Sequence, residues 1–495
     1  MSARSPVVIG VDIGTTATKA VAFDAQGREH GGAEVTYALL EPEPGRAEQD
    51  PDAVIDGALQ AIRGAVAAAR ERGARVAALS LSAAMHAIAA LDENGRPLTC
   101  LVTWADTRAT EQAQRLRAER PELHDRTGTP LHPMAPLPKL VWFAERDPRT
   151  FAAARRWVGV KELVVARLTG DWLLDHSTAS GTGLLNLDRL DWNREALAVA
   201  GLSPGLLATL APVTERLVLR PEMAGQLGLE PDVPLIIGAG DGPSANLGVG
   251  ATAPGVAACS IGTSGALRLT VERPQVDRAR HLFCYALTAD RWIVGGATSN
   301  GGVVLQWAGA ALAPDLGPHA EDRLIALAEE VRPGSEGLIM LPYLLHERAP
   351  RWGESAPGAY VGMARHHGRG HLVRAALEGV CQQLALVLAS LRDAGHEVRE
   401  MRATGGFARS ALWRQMLADV LDIEIGFPAV HEGSAFGAAL LAMETLGLAA
   451  SGDAVRIEEV VEPDPGAAAV YAEMRPAFVA SADALLQAVA LYQRT

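Results

Sequence analysis

Cysteine is scarce. The 495-residue chain has four, Cys100, Cys259, Cys284 and Cys381, without a CxxC pair or a metal-ligand spacing. That excludes a zinc ribbon and a disulfide framework and fits a reducing compartment. Long apolar runs are missing as well. The longest, Val76 to Leu91, is interrupted by Ser80, Ser82 and His86 and is too short and too polar to cross a bilayer. The stretch leading to Asp12 is a short apolar run that does not read as a signal peptide, so a soluble cytoplasmic protein is expected. Positive charge is not in excess: 45 Lys+Arg against 58 Asp+Glu leave −13. A surface of that sign argues against a dedicated nucleic-acid or anionic-membrane binder, while small anionic ligands need only a few local cations. Neither GxxxxGK(S/T) nor a dinucleotide GxGxxG occurs, so a P-loop or Rossmann site is not expected.

What is present is globular, with 48% hydrophobic and 21% charged residues, and the length predicts two or three domains. Pro6 to Asp24 reads as a strand, a tight Gly-Thr-Thr turn and a second strand. Spacing predicts a helix over Asp52 to Arg72 with Gly73 as its stop, a buried strand over Val76 to Ser82, and a helix over Arg156 to Leu168. Pro130, Pro133, Pro136 and Pro138 predict a loop at the surface or in a cleft. Val233 to Ile237 reads as a strand, followed by a Gly-rich turn, Gly238 to Gly242, into a small-residue helix. Gly295 to Trp307 reads as a Gly-rich turn into a helix, His371 to Leu391 as a long amphipathic helix and Met401 to Thr404 as a strand. Gly405-Gly406 then turns into a helix over Ser410 to Leu421, and Ser434 to Leu446 is a small-residue helix. Ser260-Ile-Gly-Thr-Ser264 repeats the pattern of Asp12-Ile-Gly-Thr-Thr16. Two halves that open with the same hairpin predict a duplicated architecture with a cleft between them.

The chemistry concentrates at these turns. A Gly-Thr-Thr turn exposes successive N–H groups and hydroxyls that can surround a phosphate. Asp12 stands where it could hold Mg2+ through water or simply cap its turn, and Lys19 could add a positive charge. Asp241, after an apolar strand and among Gly238, Gly240 and Gly242, suits either a general base or a helix N-cap. Gly405-Gly406 could be a platform for a planar ring or a plain turn. Met85-His86 follows a buried strand, where His is either a core residue or a ligand contact. Trp104-Ala-Asp106-Thr-Arg108 is either a polyol-binding set of ring, carboxylate and guanidinium or a surface ion pair beside a buried Trp.

Taken together the segments resemble the FGGY carbohydrate kinases, the group containing glycerol kinase, xylulokinase and gluconate kinase, nearly end to end. One signature resembles Met134-Ala-Pro-Leu-Pro-Lys-Leu-Val-Trp-Phe-Ala-Glu145, with Arg146 in place of the usual smaller or acidic residue. The second resembles Gly358-Ala-Tyr-Val-Gly-Met363 followed by His371 to Glu378. His346-Glu347-Arg348 departs from the family's Gly-Glu-Arg, which leaves the loop shape open. Within the family, the segments Ser82 to His86, Thr103 to Arg108, Arg126 to Met134, Gly183 to Leu187 and Ala403 to Arg414 are nearest to the gluconate kinases.

The resemblance implies an α/β protein of two actin-like, ribonuclease-H-like domains, 1–240 and 241–495, with ATP and sugar meeting in the cleft. It implies Asp241 as catalytic base, Asp12 and Asp241 near the metal, and Thr15, Thr16 and Lys19 at the phosphates. Gly262 and Thr263 match a second phosphate loop, Gly302 and Gln306 the nucleotide site, and Gly405, Gly406 and Ser410 the adenosine motif. Met85, His86, Trp104, Asp106, Arg108 and His132 match or neighbour sugar-side positions. The expected reaction is phosphorylation of the terminal hydroxyl of D-gluconate by Mg-ATP. A small-molecule substrate is the expected partner, and a homodimer is compatible with the resemblance. The substrate's carboxylate needs a cationic or N–H-rich contact, for which His86, Arg108, His132 and Lys139 are the candidates. The competing readings are another sugar kinase such as a xylulokinase, a non-catalytic sugar sensor, and an actin-like assembly ATPase.

Overall fold

Each Gly-Thr hairpin opens its own sheet. The computed structural model describes residues 6–317, 320–353, 356–429, 433–449 and 454–492. In the first sheet, β1 (Pro6–Ile13), β2 (Ala17–Phe23) and β3 (Glu29–Thr36) form an antiparallel meander. β4 (Arg75–Ala83) runs parallel to β1, and β5 (Arg216–Leu217) and β6 (Leu235–Gly240) complete the order β5-β6-β4-β1-β2-β3. The second sheet contains β7 (Val256–Ile261), β8 (Gly265–Val271), β9 (Phe283–Ala286), β10 (Trp292–Thr298), β11 (Glu400–Thr404), β12 (Ile425–Pro428) and β13 (Ile457–Val461). Its order is β9-β10-β8-β7-β11-β12-β13. Three antiparallel strands, two parallel ones and a closing antiparallel strand recur in the same order, with β9 as an additional edge. The expected duplication is therefore present in the topology.

Helices cover the sheets. α1 (Pro51–Glu71) starts where the Asp50 side chain accepts from the Asp52 N–H, and it buries Val54, Ala58, Ala61, Ile62 and Ala65 against the first sheet. Next come α2 (Pro136–Arg146), α3 (Val160–Thr169), α4 (Asp241–Gly248), α5 (Val303–Leu312), α6 (Arg369–Asp393), α7 (Ala411–Leu421) and α8 (Gly433–Leu446). Among the described residues, only α6 is long and apolar enough to cross a membrane, and 83% of its apolar window is buried inside the protein. α4 follows β6 and α8 follows β12, equivalent positions in the two sheets, and these two helices pack on each other between the halves. Glycine permits the approach: a Cβ at Gly437 would overlap the Ser244 carbonyl oxygen, and one at Gly248 the Gly433 carbonyl oxygen.

Four local expectations are corrected. Gly238 to Gly240 continue β6 through a bulge instead of forming a turn, and Asp241 and Gly242 already belong to α4. Pro136 and Pro138 lie in the first turn of α2, where backbone N–H groups have no intrahelical partner and proline removes no bond. Arg156–Val158 is a short strand paired with Ala89–Leu91, so the helix expected from Arg156 begins only at Val160. Gly295 and Gly296 lie inside β10, where a Cβ at Gly295 would overlap the Leu267 carbonyl oxygen, and the helix starts at Val303.

Candidate active site

The end of β6 is shaped by a bulge. Its register with β4 shifts between Ile236 and Ala239, and Gly238 sits there at φ +74°, where a Cβ would overlap the Leu81 carbonyl. The bulge delivers Asp241 as the first residue of α4. Gly240 is the N-cap, and Asp241 Oδ1 accepts from the Gly242 N–H at 2.7 Å. Beneath it the buried Lys161 of α3 donates to the Ala239 carbonyl at 2.7 Å and to Asp175 Oδ2 at 2.8 Å. Burial raises the Asp241 pKa above the ordinary aspartate value, and Arg268, Lys161 and Arg348 offset part of the rise. A carboxylate raised in this way and facing a cleft suits a general base.

A cavity of about 440 Å³ opens over Asp241, lined also by Thr15, Thr16, Met85, His86, Trp104 and Thr263. Asp12, at the end of β1, accepts from Ser82 Oγ at 2.9 Å and is paired in register with Lys19. Lys19 lies 3.6 Å from Glu34 on β3. The turn carbonyls of Gly14 and Thr15 accept from the Tyr37 hydroxyl at 2.7 Å and from Gln49 Nε2 at 2.8 Å. The Trp104 indole N–H reaches Thr15 Oγ1 at 3.0 Å. Among the described residues no group of three or more His, Cys, Asp or Glu could hold a metal. The single carboxylate of Asp12 nevertheless fits Mg2+, which retains several waters and needs few carboxylates.

The four cationic candidates divide. His86, at φ +72°, lines the cavity and its Nδ1 meets the Gly181 carbonyl at 2.7 Å, so Nδ1 carries the proton. Burial holds its pKa down to about 3, and the ring is neutral. His132 is buried outside the cavity lining; its Nδ1 accepts from the Met134 N–H, and its ring meets Trp352 edge-on. Arg108 is held by Asp106, at 2.7 Å and 2.8 Å, and by Glu48. Asp106 also accepts from the Ala47 N–H, and its carboxyl is kept below the ordinary range because these bonds outweigh its burial. Thus Trp104 faces the cleft, whereas Asp106 and Arg108 brace its loop. The chain has three lysines, Lys19, Lys139 and Lys161, and the last two are wholly buried. Lys139 is surrounded by the carbonyls of His86, Val102, Thr103 and Met134 at 2.7–3.3 Å, and burial pulls it down to about 7.

Residues outside the sequence-derived set complete the cavity. Pairing places Ser260, Ala266, Arg268, Phe283, Tyr285 and Ala297 on one face of the second sheet, forming its floor. Arg268 Nη1 meets Ser260 Oγ at 3.3 Å. Arg348 donates to the Thr298 carbonyl at 2.7 Å and lies 4.8 Å above the Trp104 ring. The loop whose shape His346-Glu347-Arg348 left open is held by Glu347, which accepts from the Ser299 and Arg348 N–H groups and from Asn300. Among the described residues His346 is not in the left-handed region, so no glycine is needed there. An arginine among alternating strand residues, in Gly265 to Val271, was the available signal for Arg268.

A second cavity, about 640 Å³, is lined by Gly262, Thr263, Gly302, Gln306, Gly406 and Ser410. Gly302 donates to the Gly262 carbonyl at 2.7 Å, tying α5 to the second hairpin. Gly405, at φ +119°, lies against β7, where a Cβ would overlap the Ile261 carbonyl oxygen, and space above Gly406 is open. Ser410 caps α7 through the Trp413 N–H. Thr263 lines both cavities, so they are adjacent at the second hairpin.

Residues 7–248 match the N-terminal domain and residues 257–446 the C-terminal domain of the FGGY family of carbohydrate kinases. A gluconokinase of Bacillus licheniformis is 39% identical over 508 residues, 99% of this chain and 98% of the relative. A gluconate kinase structure from Lactobacillus acidophilus superposes with a TM-score of 0.91 at 32% identity, covering 97% and 98% of the two chains. A ligand-bound xylulose kinase structure from the same organism gives the same TM-score, identity and coverage.

Proposed function

Because the chain belongs to the FGGY family of carbohydrate kinases, we propose that it transfers the γ-phosphoryl group of ATP to the terminal hydroxyl of D-gluconate, giving 6-phosphogluconate and ADP. The observation that carries the transfer is the adjacency of the two cavities at Thr263 with Asp241 in the wall of one of them. The identity of the acceptor rests on the gluconokinase relative.

Asp241 accepts the proton of the acceptor hydroxyl and orients that oxygen. An O–P bond forms as the bond from phosphorus to the ADP oxygen breaks, with little charge on the nucleophile until late in the transfer. Thr15, Thr16 and Thr263 offer N–H and hydroxyl groups from two sides to the phosphoryl oxygens, and Gly262, whose N–H bonds the Ser264 carbonyl, leaves space beside them. Gly406 and Ser410 receive the adenosine end. Asp12 would hold Mg2+, which when bound neutralises phosphate charge. Met85, His86 and Trp104 border the acceptor.

An ADP-release assay with Mg-ATP and D-gluconate, D-xylulose, glycerol or no sugar tests this reading. Release with gluconate is expected. Release with xylulose but not gluconate would transfer the same chemistry to the second reading, which the equal similarity to the xylulose kinase structure keeps specific. Asp241→Ala is expected to lower kcat by at least about 10²-fold, and near-parental turnover would remove Asp241 from the role.

A further inference from the structure

We propose that Arg268, Arg348 and the Tyr285 hydroxyl form the seat for the substrate carboxylate, and so select a sugar acid over a neutral sugar. This rests on the sugar-acid reading above. Arg348 and Tyr285 are buried, and Arg268 faces the cavity from the sheet floor. Among the described residues neither arginine has a carboxylate within ion-pair distance. Among the same residues Arg348 meets a carbonyl, a serine hydroxyl and the Trp104 ring, and Arg268 a serine hydroxyl. The Tyr285 oxygen is enclosed and has no hydrogen-bond partner among the described residues. Buried cations and buried hydroxyls are normally paired. Two guanidinium groups without a carboxylate and one unpartnered hydroxyl around one cavity call for an anion with more than one oxygen, and a carboxylate meets guanidinium groups through two.

The three residues share their cavity with Thr15, Thr16 and Thr263, so varying gluconate and ATP separately is what distinguishes this anion from the transferred phosphoryl group. None of the three residues lines the nucleotide cavity, and Arg348 stacks on Trp104, which borders the acceptor. The other cations near the acceptor are spent: Lys139 on four carbonyls, Arg108 on two carboxylates, and His86 is neutral. A neutral sugar in this cavity would leave both guanidinium groups without an anion, which disfavours it.

The test is steady-state kinetics of the full chain and of Arg268→Gln, Arg348→Gln and Tyr285→Phe, with gluconate and ATP varied separately. Truncating one partner of a buried charge pair predicts a rise in the gluconate KM of about 30-fold or more in either arginine variant. Losing one hydrogen bond to a charged group predicts about tenfold in Tyr285→Phe. The KM for ATP should stay at the parent value. Because the Tyr285 hydroxyl has no partner among the described residues, Tyr285→Phe disturbs none of their bonds and decides the matter alone if the arginine variants do not fold. Losses confined to kcat, with both KM values intact, would move the arginines to the phosphoryl group and overturn the seat. Parental gluconate KM values in the variants would overturn the seat while leaving gluconate kinase activity standing. A wild-type protein that turns over only neutral sugars would overturn the sugar-acid reading and the seat with it.

Discussion

The two hairpins share a backbone and differ in what surrounds it. The first carries Asp12 at its strand end and Ser82 beside it on the parallel neighbour; the second carries Ser260 there, beside Thr404. The first turn is braced by side chains of its own half, Tyr37, Gln49 and Trp104. The second is braced by backbone: Gly302 and Gly301 donate to the Gly262 and Thr263 carbonyls, and among the described residues no side chain bonds to residues 262–264. One copy of the turn has become the charged, acceptor-facing side, and the other a neutral support between the two cavities. Replacing Asp12 by serine in the second copy also leaves Arg268 beside a hydroxyl rather than a carboxylate.

The sharpest test of that difference is chemical. Asp12→Asn is expected to lower kcat by about 10²-fold or more, the scale of losing one preorganised electrostatic contact. Ser260→Ala, its counterpart, should leave kcat near the parent value. Equal losses in a turnover assay would mean that the two turns do the same work. Next in size is packing. Gly437→Ala puts a methyl group into the Ser244 carbonyl and should cost about 1–3 kcal/mol in urea unfolding. Gly262→Ala meets nothing within 4 Å and should leave the midpoint unchanged. A smaller effect is expected from Trp104→Phe, which removes the Thr15 bond; about 0.5–1.5 kcal/mol corresponds to roughly tenfold at most in gluconate KM. Smallest is a shift in pH dependence. The proposed role of Asp241 as base requires its ionised form, so activity should fall as pH drops through a pKa above that of an ordinary aspartate, and Arg268→Gln should move this limb to higher pH. The sign for stability is opposite. A raised folded pKa contributes stability that is present at low pH and lost as pH rises through it, so Asp241→Asn should melt higher at neutral pH in a thermal scan.

The sequence made legible those parts that depend on local backbone. Both hairpins and the Gly405-Gly406 turn need particular residues at particular spacings and were readable from the chain, whereas the strand leading to Asp241 was read as ending at Ile237 because glycines that permit a bulge look like glycines that make a turn. The prolines at 136 and 138 were misread because a Pro-rich loop and a Pro-started helix look alike until the following residues are packed. The cations were harder for a different reason. Whether Arg108 or Lys139 can meet a ligand depends on Glu48 and on the carbonyls of His86, Val102 and Thr103, which are brought near only by the fold. Arg268 and Tyr285 converge through strand pairing from β8 and β9, a register that no single segment encodes.

The crossing of α4 and α8 ties the seat of Asp241 to the order in which the chain is made. Asp241 leaves the ribosome with the first sheet complete behind it, yet the helix that walls α4 waits for residues 433–446, and the Ser434 hydroxyl that bonds the Asp241 carbonyl waits with it. A nascent or prematurely terminated chain would therefore carry both hairpins, Asp241, the Gly238 bulge and Lys161 without the helix and hydroxyl that close on α4 from the other side.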